Sequence, residues 1–343
     1  MNSSWKLTIR VVVFSALLGG ASGVLTSAIT NNYLSEYSYQ LSELTEPLRV
    51  TQARPRALPA SYESALELIE KTALPAVGAS YGVRAGSPVD QFESPVIVLT
   101  SDGWMVASGD LNVGDRVRVG TQECLLNEVI YDRRSEFSFI RCEAQNLPVV
   151  DFGDGYTLSP GDQVFVADGG SLVYTRVKSI TYGEVALRSS DQPARRIVLE
   201  TDLFVDGAAV FNIFGELVGL ALDSMVMPLE QISGGFNQVL GGAKVLDYPS
   251  LAINTIDLSR TVGVDNLSVS GALLSGRQPV GAGTKAGFLV GDVIIAVDGD
   301  SIGDAYTLDD LLAKKVSDQT IRIEFLRNNE SQEVEVILGS VNQ

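Results

Sequence analysis

No histidine occurs among the 343 residues. A serine or cysteine hydrolase needs a base to deprotonate its nucleophile, and imidazole is the usual one. Composition alone therefore excludes histidine-assisted nucleophilic catalysis. The same absence removes the commonest zinc ligand, and two cysteines are too few for a closed cysteine-histidine zinc site. The sequence implies no metal and no cofactor. The abundant reactive group is the carboxylate: 42 Asp and Glu stand against 25 Lys and Arg, for a net charge of −17. Neighbouring carboxylates can share a proton as an acid/base pair, or bind Ca²⁺ or Mg²⁺. So acidic a surface repels phosphate backbones, and no nucleic-acid partner is expected.

The two cysteines fall in CLLNEVIYD (Cys124) and FSFIRC (Cys142), with residue 133 midway between them. A hairpin turning at Arg133–Arg134 without a bulge sets them opposite each other. A cross-strand disulfide is then feasible in an oxidising exterior, and two buried free thiols are the alternative.

The elements that must position these groups are mainly β. The length suggests two or three domains, and 45% hydrophobic residues provide material for real cores. Lys6 and Arg10 precede an uncharged run from Val11 to Thr30, 20 residues long, enough for a helix to span the hydrocarbon layer. The basic flank places residues 1–30 as a cytoplasmic stub and single-pass anchor in the cell membrane, with the bulk of the chain extracytoplasmic. A cleaved signal peptide, cut near Ala21-Ser22-Gly23, is the alternative. Residues 31–60 read as a linker, turning proline-rich through Pro47, Pro55 and Pro59. Ser61 is placed to cap the helical pattern YESALELIEKT. Short alternating runs then follow one another to about residue 240, divided by SDG, GDG, SPGD and DGG turns. This spacing suits two small antiparallel barrels within residues 61–243. Residues 244–343 change to a compact α+β pattern.

The second unit resembles the PDZ domains of bacterial proteases. The run Ala286-Gly287-Phe288-Leu289-Val290-Gly291-Asp292-Val293-Ile294 follows that family's AGL-x-x-GD-x-I pattern, and Val297-Asp298-Gly299 its next turn. Arg327 and Asn328 before a final strand complete it. With that resemblance in place, residues 64–241 are similar to the trypsin-like domain of HtrA-type (DegP/DegS-like) serine proteases. The matching stretches are Asp102-Gly103-Trp104-Met105-Val106, Asp132 with Phe137 to Ile140, Leu147-Pro148 to Val164, Thr201-Asp202, and Gly215 to Gly219. The resemblance implies a two-barrel domain, a PDZ domain that captures extended peptides or unfolded segments by strand addition, and assembly as a homotrimer or with an active relative. It places the start of the peptide-binding edge at Leu251-Ala252-Ile253-Asn254.

The resemblance breaks at the catalytic positions. Asp110 stands where the base histidine belongs, Glu136 at the orienting aspartate, and Asp206 at the nucleophile, with Phe204 at the leading glycine of the nucleophile turn. Asp206 has no hydroxyl to attack with, and its charge opposes an oxyanion. Three readings stay open for these carboxylates: drift of abandoned positions, a metal or structural role, and hydrolysis through carboxylates. Ser108 and Ser224 read as loop residues. The sequence thus favours a membrane-anchored, peptide-binding pseudoprotease that serves as scaffold or regulator in extracytoplasmic protein quality control. A divergent hydrolase is the competing class.

Overall fold

The computed structural model describes residue 59 and residues 61–82, 91–183, 186–261 and 269–342. The expected stub and anchor at 1–30 lie outside them, as does the expected linker at 31–60 apart from residue 59. Among the described residues, no helix is long and apolar enough to cross a membrane.

Helix α1 (Tyr62–Thr72) begins at a reciprocal cap: Ser61 Oγ accepts from Ser64 N at 3.3 Å, and Ser64 Oγ accepts from Ser61 N at 3.0 Å. Its buried Ala65 and Ile69 pack onto the barrel core. Six strands follow: β1 (Val77–Gly82), β2 (Gln91–Val98), β3 (Trp104–Ser108), β4 (Arg116–Val119), β5 (Gln122–Asp132) and β6 (Phe137–Cys142). They close as a barrel in the order β1-β2-β3-β6-β5-β4, which leaves no free sheet edge. Runs such as Val96-Ile97-Val98 and Trp104-Met105-Val106-Ala107 are buried throughout.

Cys124 and Cys142 form a disulfide with Cα atoms 5.9 Å apart. The geometry is not the unbulged hairpin centred on residue 133. Asp132 pairs with Phe137, which sets the turn one to two residues later, and the register slips between Leu126 and Glu128. Cys142 therefore faces Leu126, while Cys124 faces Val117 on β4. The bulge, by adding a residue to one strand, bends β5 and re-aims its side chains.

The second barrel uses β8 (Gln163–Ala167), β9 (Leu172–Thr181), β11 (Arg196–Leu199), β12 (Ala209–Asn212), β13 (Glu216–Leu222) and β14 (Met225–Pro228). The β12–β13 pairing closes the ring, and short β7 (Asp151–Phe152) adds in parallel to β13. Helix α2 (Glu230–Leu240) follows, with Ile232, Phe236 and Val239 buried in the first barrel's core.

The last unit has its own core, around Leu251, Ile253, Phe288, Ile294, Ile323 and Phe325. Strands β15 (Asp247–Ser250) and β22 (Gly339–Asn342) pair at its two ends. The main sheet runs β16 (Ile253–Asp257), β17 (Ala272–Arg277), β18 (Val293–Val297), β20 (Thr320–Arg327), β21 (Glu330–Ile337), with β19 (Asp300–Ser301) on β18. Helices α3 (Ala282–Lys285) and α4 (Leu308–Ala313) complete it. One further strand joins this sheet from the barrel segment: β10 (Leu187–Ser189) pairs antiparallel with β16.

Candidate functional site

Three turns of the two barrels come together at the candidate positions. Gly207 follows Asp206 with φ +87°, and a Cβ there would lie 2.6 Å from Ser94 Oγ and 3.1 Å from Ser108 Cβ, so the 206–207 turn sits hard against β2 and β3. Ser94 is itself fixed, its N–H donating to Ser80 Oγ at 3.1 Å while its Oγ accepts from Ser108 N at 3.1 Å. Two residues on from Ser108, the Asp110 turn meets the Glu136 turn: Gly109 N donates to Glu136 O at 3.1 Å, and Ser138 Oγ to Gly109 O at 2.6 Å. The backbones of all three positions are thus brought to one region of the barrels.

The three side chains do not combine into one group. Asp110, Glu136 and Asp206 are all exposed. Burial first, then the charges of Glu136 and Asp110, push the Tyr131 phenol upward. Asp206 turns elsewhere: its Oδ1 accepts from Asp223 N at 2.9 Å. That bond caps the β13–β14 hairpin, whose Asp223 and Ser224 hold φ of 51° and 60°. Phe204 has its N–H engaged by Asp202 O at 2.9 Å. Among the described residues, no group of three or more His, Cys, Asp or Glu side chains is arranged to hold a metal ion.

A second site lies at the edge of the C-terminal sheet. Leu251 and Ile253 are buried in the core, Ala252 takes φ 58°, and Asn254 begins the exposed face of β16. The left-handed turn at Ala252 points successive N–H groups in one direction, the arrangement that makes an anion nest. The acceptor seated there is the Asp191 side chain. Asp191 Oδ1 accepts from Leu251 N at 2.9 Å and Ala252 N at 3.1 Å, and Oδ2 accepts from Ser250 Oγ at 2.6 Å. Beside it, Ser190 N donates to Ile253 O at 2.9 Å. Nothing in the polar stretch ALRSSD marks it as a strand: it lacks alternation, and its partners lie about 60 residues away.

The loop preceding β18 shows why the glycine-aspartate pattern is needed. Asp292, 2% exposed, receives Arg327 through a two-bond fork, Nε to Oδ1 at 2.8 Å and Nη2 to Oδ2 at 2.6 Å. Arg327 Nη2 also donates to Gly287 O at 2.9 Å, and Leu289 N donates to Asp292 Oδ2 at 2.7 Å. The hydrogen bond to Asp292, first among its influences, raises the Arg327 pKa further.

The barrels and the C-terminal unit meet around Arg195, whose side chain is only 5% exposed. It donates to Ala305 O at 2.9 Å and Tyr156 O at 3.0 Å, and pairs with Asp310 at 3.4 Å. Burial pushes the Asp310 carboxyl and the Tyr156 phenol upward. Nearby, burial and then the adjoining Asp154 raise Glu230 to about 8.

Comparison with known proteins bears on both sites. Residues 278–338 match the model of the PDZ domain family. A probable periplasmic DegP-like serine endoprotease of Pseudomonas putida (strain GB-1) is 25% identical over 269 residues, covering 71% of this chain and 55% of that protein. A counterpart from Hahella chejuensis (strain KCTC 2396) is 23% identical over 280 residues, covering 75% and 59%. The chain thus spans little more than half the length of these relatives. Among solved structures, the HtrA-type protease AlgW with a tripeptide superposes with a TM-score of 0.56 at 15% identity, covering 81% of this chain and 97% of that one. The same protease with a decapeptide gives 0.54 at 14%, covering 81% and 98%. The chain therefore has the fold of an HtrA-type protease, with two six-stranded barrels and a PDZ domain, and is similar to DegP-like serine endoproteases.

Proposed function

We propose that this chain is an HtrA-like pseudoprotease, which binds peptides or unfolded segments at its PDZ edge without cleaving them. The observation that carries the reading is the chemistry of the three catalytic positions: carboxylates at 110, 136 and 206, in a chain without histidine. No group there can both attack a carbonyl and be deprotonated in the family manner. Asp206 is engaged as a hairpin cap, and Phe204 N–H, a donor position of the oxyanion turn, is bonded within its own loop. Losing one oxyanion donor typically costs about 10²–10³ in rate, and here nucleophile and base are missing as well.

The binding half of the reading rests on the intact PDZ core, the Asp292–Arg327 fork and the oriented N–H groups of Leu251 and Ala252. Residues 1–30 would anchor the chain in the cell membrane with residues 61–243 and 244–343 outside, where a disulfide persists. There it would serve as scaffold or regulator, as a homotrimer or beside an active relative. A photoreactive, casein-derived peptide with a free C-terminal carboxylate tests the proposal. The expected result is crosslinking to residues 251–257 with no new peptide termini. Crosslinks confined to the barrels would contradict it.

A further inference from the structure

We infer that Leu187–Asp191 is a built-in ligand of the PDZ edge, and that an extended peptide with a free C-terminal carboxylate binds by displacing it. The inference rests on the proposed peptide-binding role and adds a state to it: the edge is already filled by the chain itself.

An incoming peptide needs two things from such an edge. Its backbone must add antiparallel to the outer strand, and its terminal carboxylate must meet oriented N–H donors. The internal segment supplies both. Leu187, Arg188 and Ser189 pair with Ile256, Thr255 and Asn254 in antiparallel register, and Ser190 N–H continues the ladder to Ile253 O. At the next residue the Asp191 side chain turns its carboxylate onto Leu251 N, Ala252 N and Ser250 Oγ. A side-chain carboxylate therefore stands where the terminal carboxylate of a peptide ending at Ser190 would stand.

The contact is suited to exchange. Its paired strand spans only three residues, Leu187 is 46% exposed, and Asn254 opposite Ser189 is exposed. Beyond Asp191 the segment is held independently, by Ala194 N donating to Asp309 Oδ2 at 2.9 Å and by the buried Arg195. Release of 187–191 thus leaves the junction with α4 in place. The segment also indicates what a competitor should carry. Arg188, two residues before Ser190, reaches Asp257 Oδ2 at 3.4 Å, so a basic residue at that place in a peptide meets the same acceptor. Because the internal ligand is tethered, its effective concentration is on the order of millimolar, and free peptide must overcome it.

The full chain tests this with a fluorescein-labelled hexapeptide, Val-Ala-Leu-Arg-Ser-Ser, as free acid and as C-terminal amide. Asp191→Ala should bind the acid at least tenfold more tightly than the native chain, and the amide should bind neither. In a Ser189→Cys/Asn254→Cys variant, oxidation should lock the segment and abolish binding, and reduction should restore it. Equal binding in the locked and reduced forms would overturn the internal ligand while leaving peptide binding intact. Binding of the amide as tightly as the acid would overturn the carboxylate exchange. No binding by any form, Asp191→Ala included, would remove the peptide-binding reading and this inference with it.

Discussion

Two aspartates on loops flanking the same strand behave in opposite ways. Asp206, after β11, is exposed and accepts one backbone N–H, from Asp223. Asp191, before β11, is half-buried and draws three donors from residues about 60 positions away. The position that the sequence resemblance assigns to attack carries a surface turn cap, while an unremarked loop residue joins two parts of the molecule. The contrast shows that a carboxylate's role is set by the donors aimed at it and not by its place in a family pattern.

Substitutions on the two loops and in the C-terminal unit should differ in their cost. The largest stability effect should come from Arg327→Ala, which leaves the buried Asp292 charge unpaired and frees the 287–292 loop, a loss of about 3 kcal/mol. Urea denaturation monitored in the C-terminal unit measures it, and a loss below about 1 kcal/mol would show that the fork does not hold the unit. Asp191→Ala should cost about 2 kcal/mol, since Leu251 and Ala252 N–H lose their acceptor. Hydrogen exchange at residues 251–256 should rise in step. Unchanged protection there would count against the docked edge.

A pH effect comes next. Glu230 is raised to about 8 in the fold, above the ordinary carboxylate value it regains on unfolding. The folded chain therefore binds this proton more tightly, and the stability it contributes is present below about pH 4.5 and declines as pH rises through 8. Glu230→Gln should flatten that part of the thermal stability profile between pH 5 and 8.5. A variant as pH-dependent as the native chain would place the titration elsewhere. The smallest effect should be Asp206→Ala, within about 1 kcal/mol, because one exposed cap is lost. If Asp206→Ala proved as costly as Asp191→Ala, the comparison between the two loops would fail.

Much of the fold is legible in the sequence, for local reasons. Ser61 reads as a cap because the helical pattern begins beside it, and the alternating runs give barrel strands because one face of each must be buried. The AGFLVGD run is readable because its glycines and aspartate meet local geometric demands that Arg327 completes. Legibility fails where geometry depends on distant partners. The slip between Leu126 and Glu128 moves the cysteine pairing off its simple register, and no residue type announces it. Strand β10 is short and polar, and becomes a strand only because β16 offers an edge. At the candidate site, the types at 110, 136 and 206 are visible in sequence, but that Asp206 faces a hairpin turn emerges only from the packing.

On the proposed function, the chain keeps the protease fold but lacks the protease's reaction. Incubation of the full chain with unfolded casein, with mass spectrometric counting of new amino termini, tests it most directly. No new termini should appear, either from the native chain or from Asp206→Ser, since no base is present to activate a restored hydroxyl. Cleavage by the native chain that disappears in Asp206→Ala would contradict it.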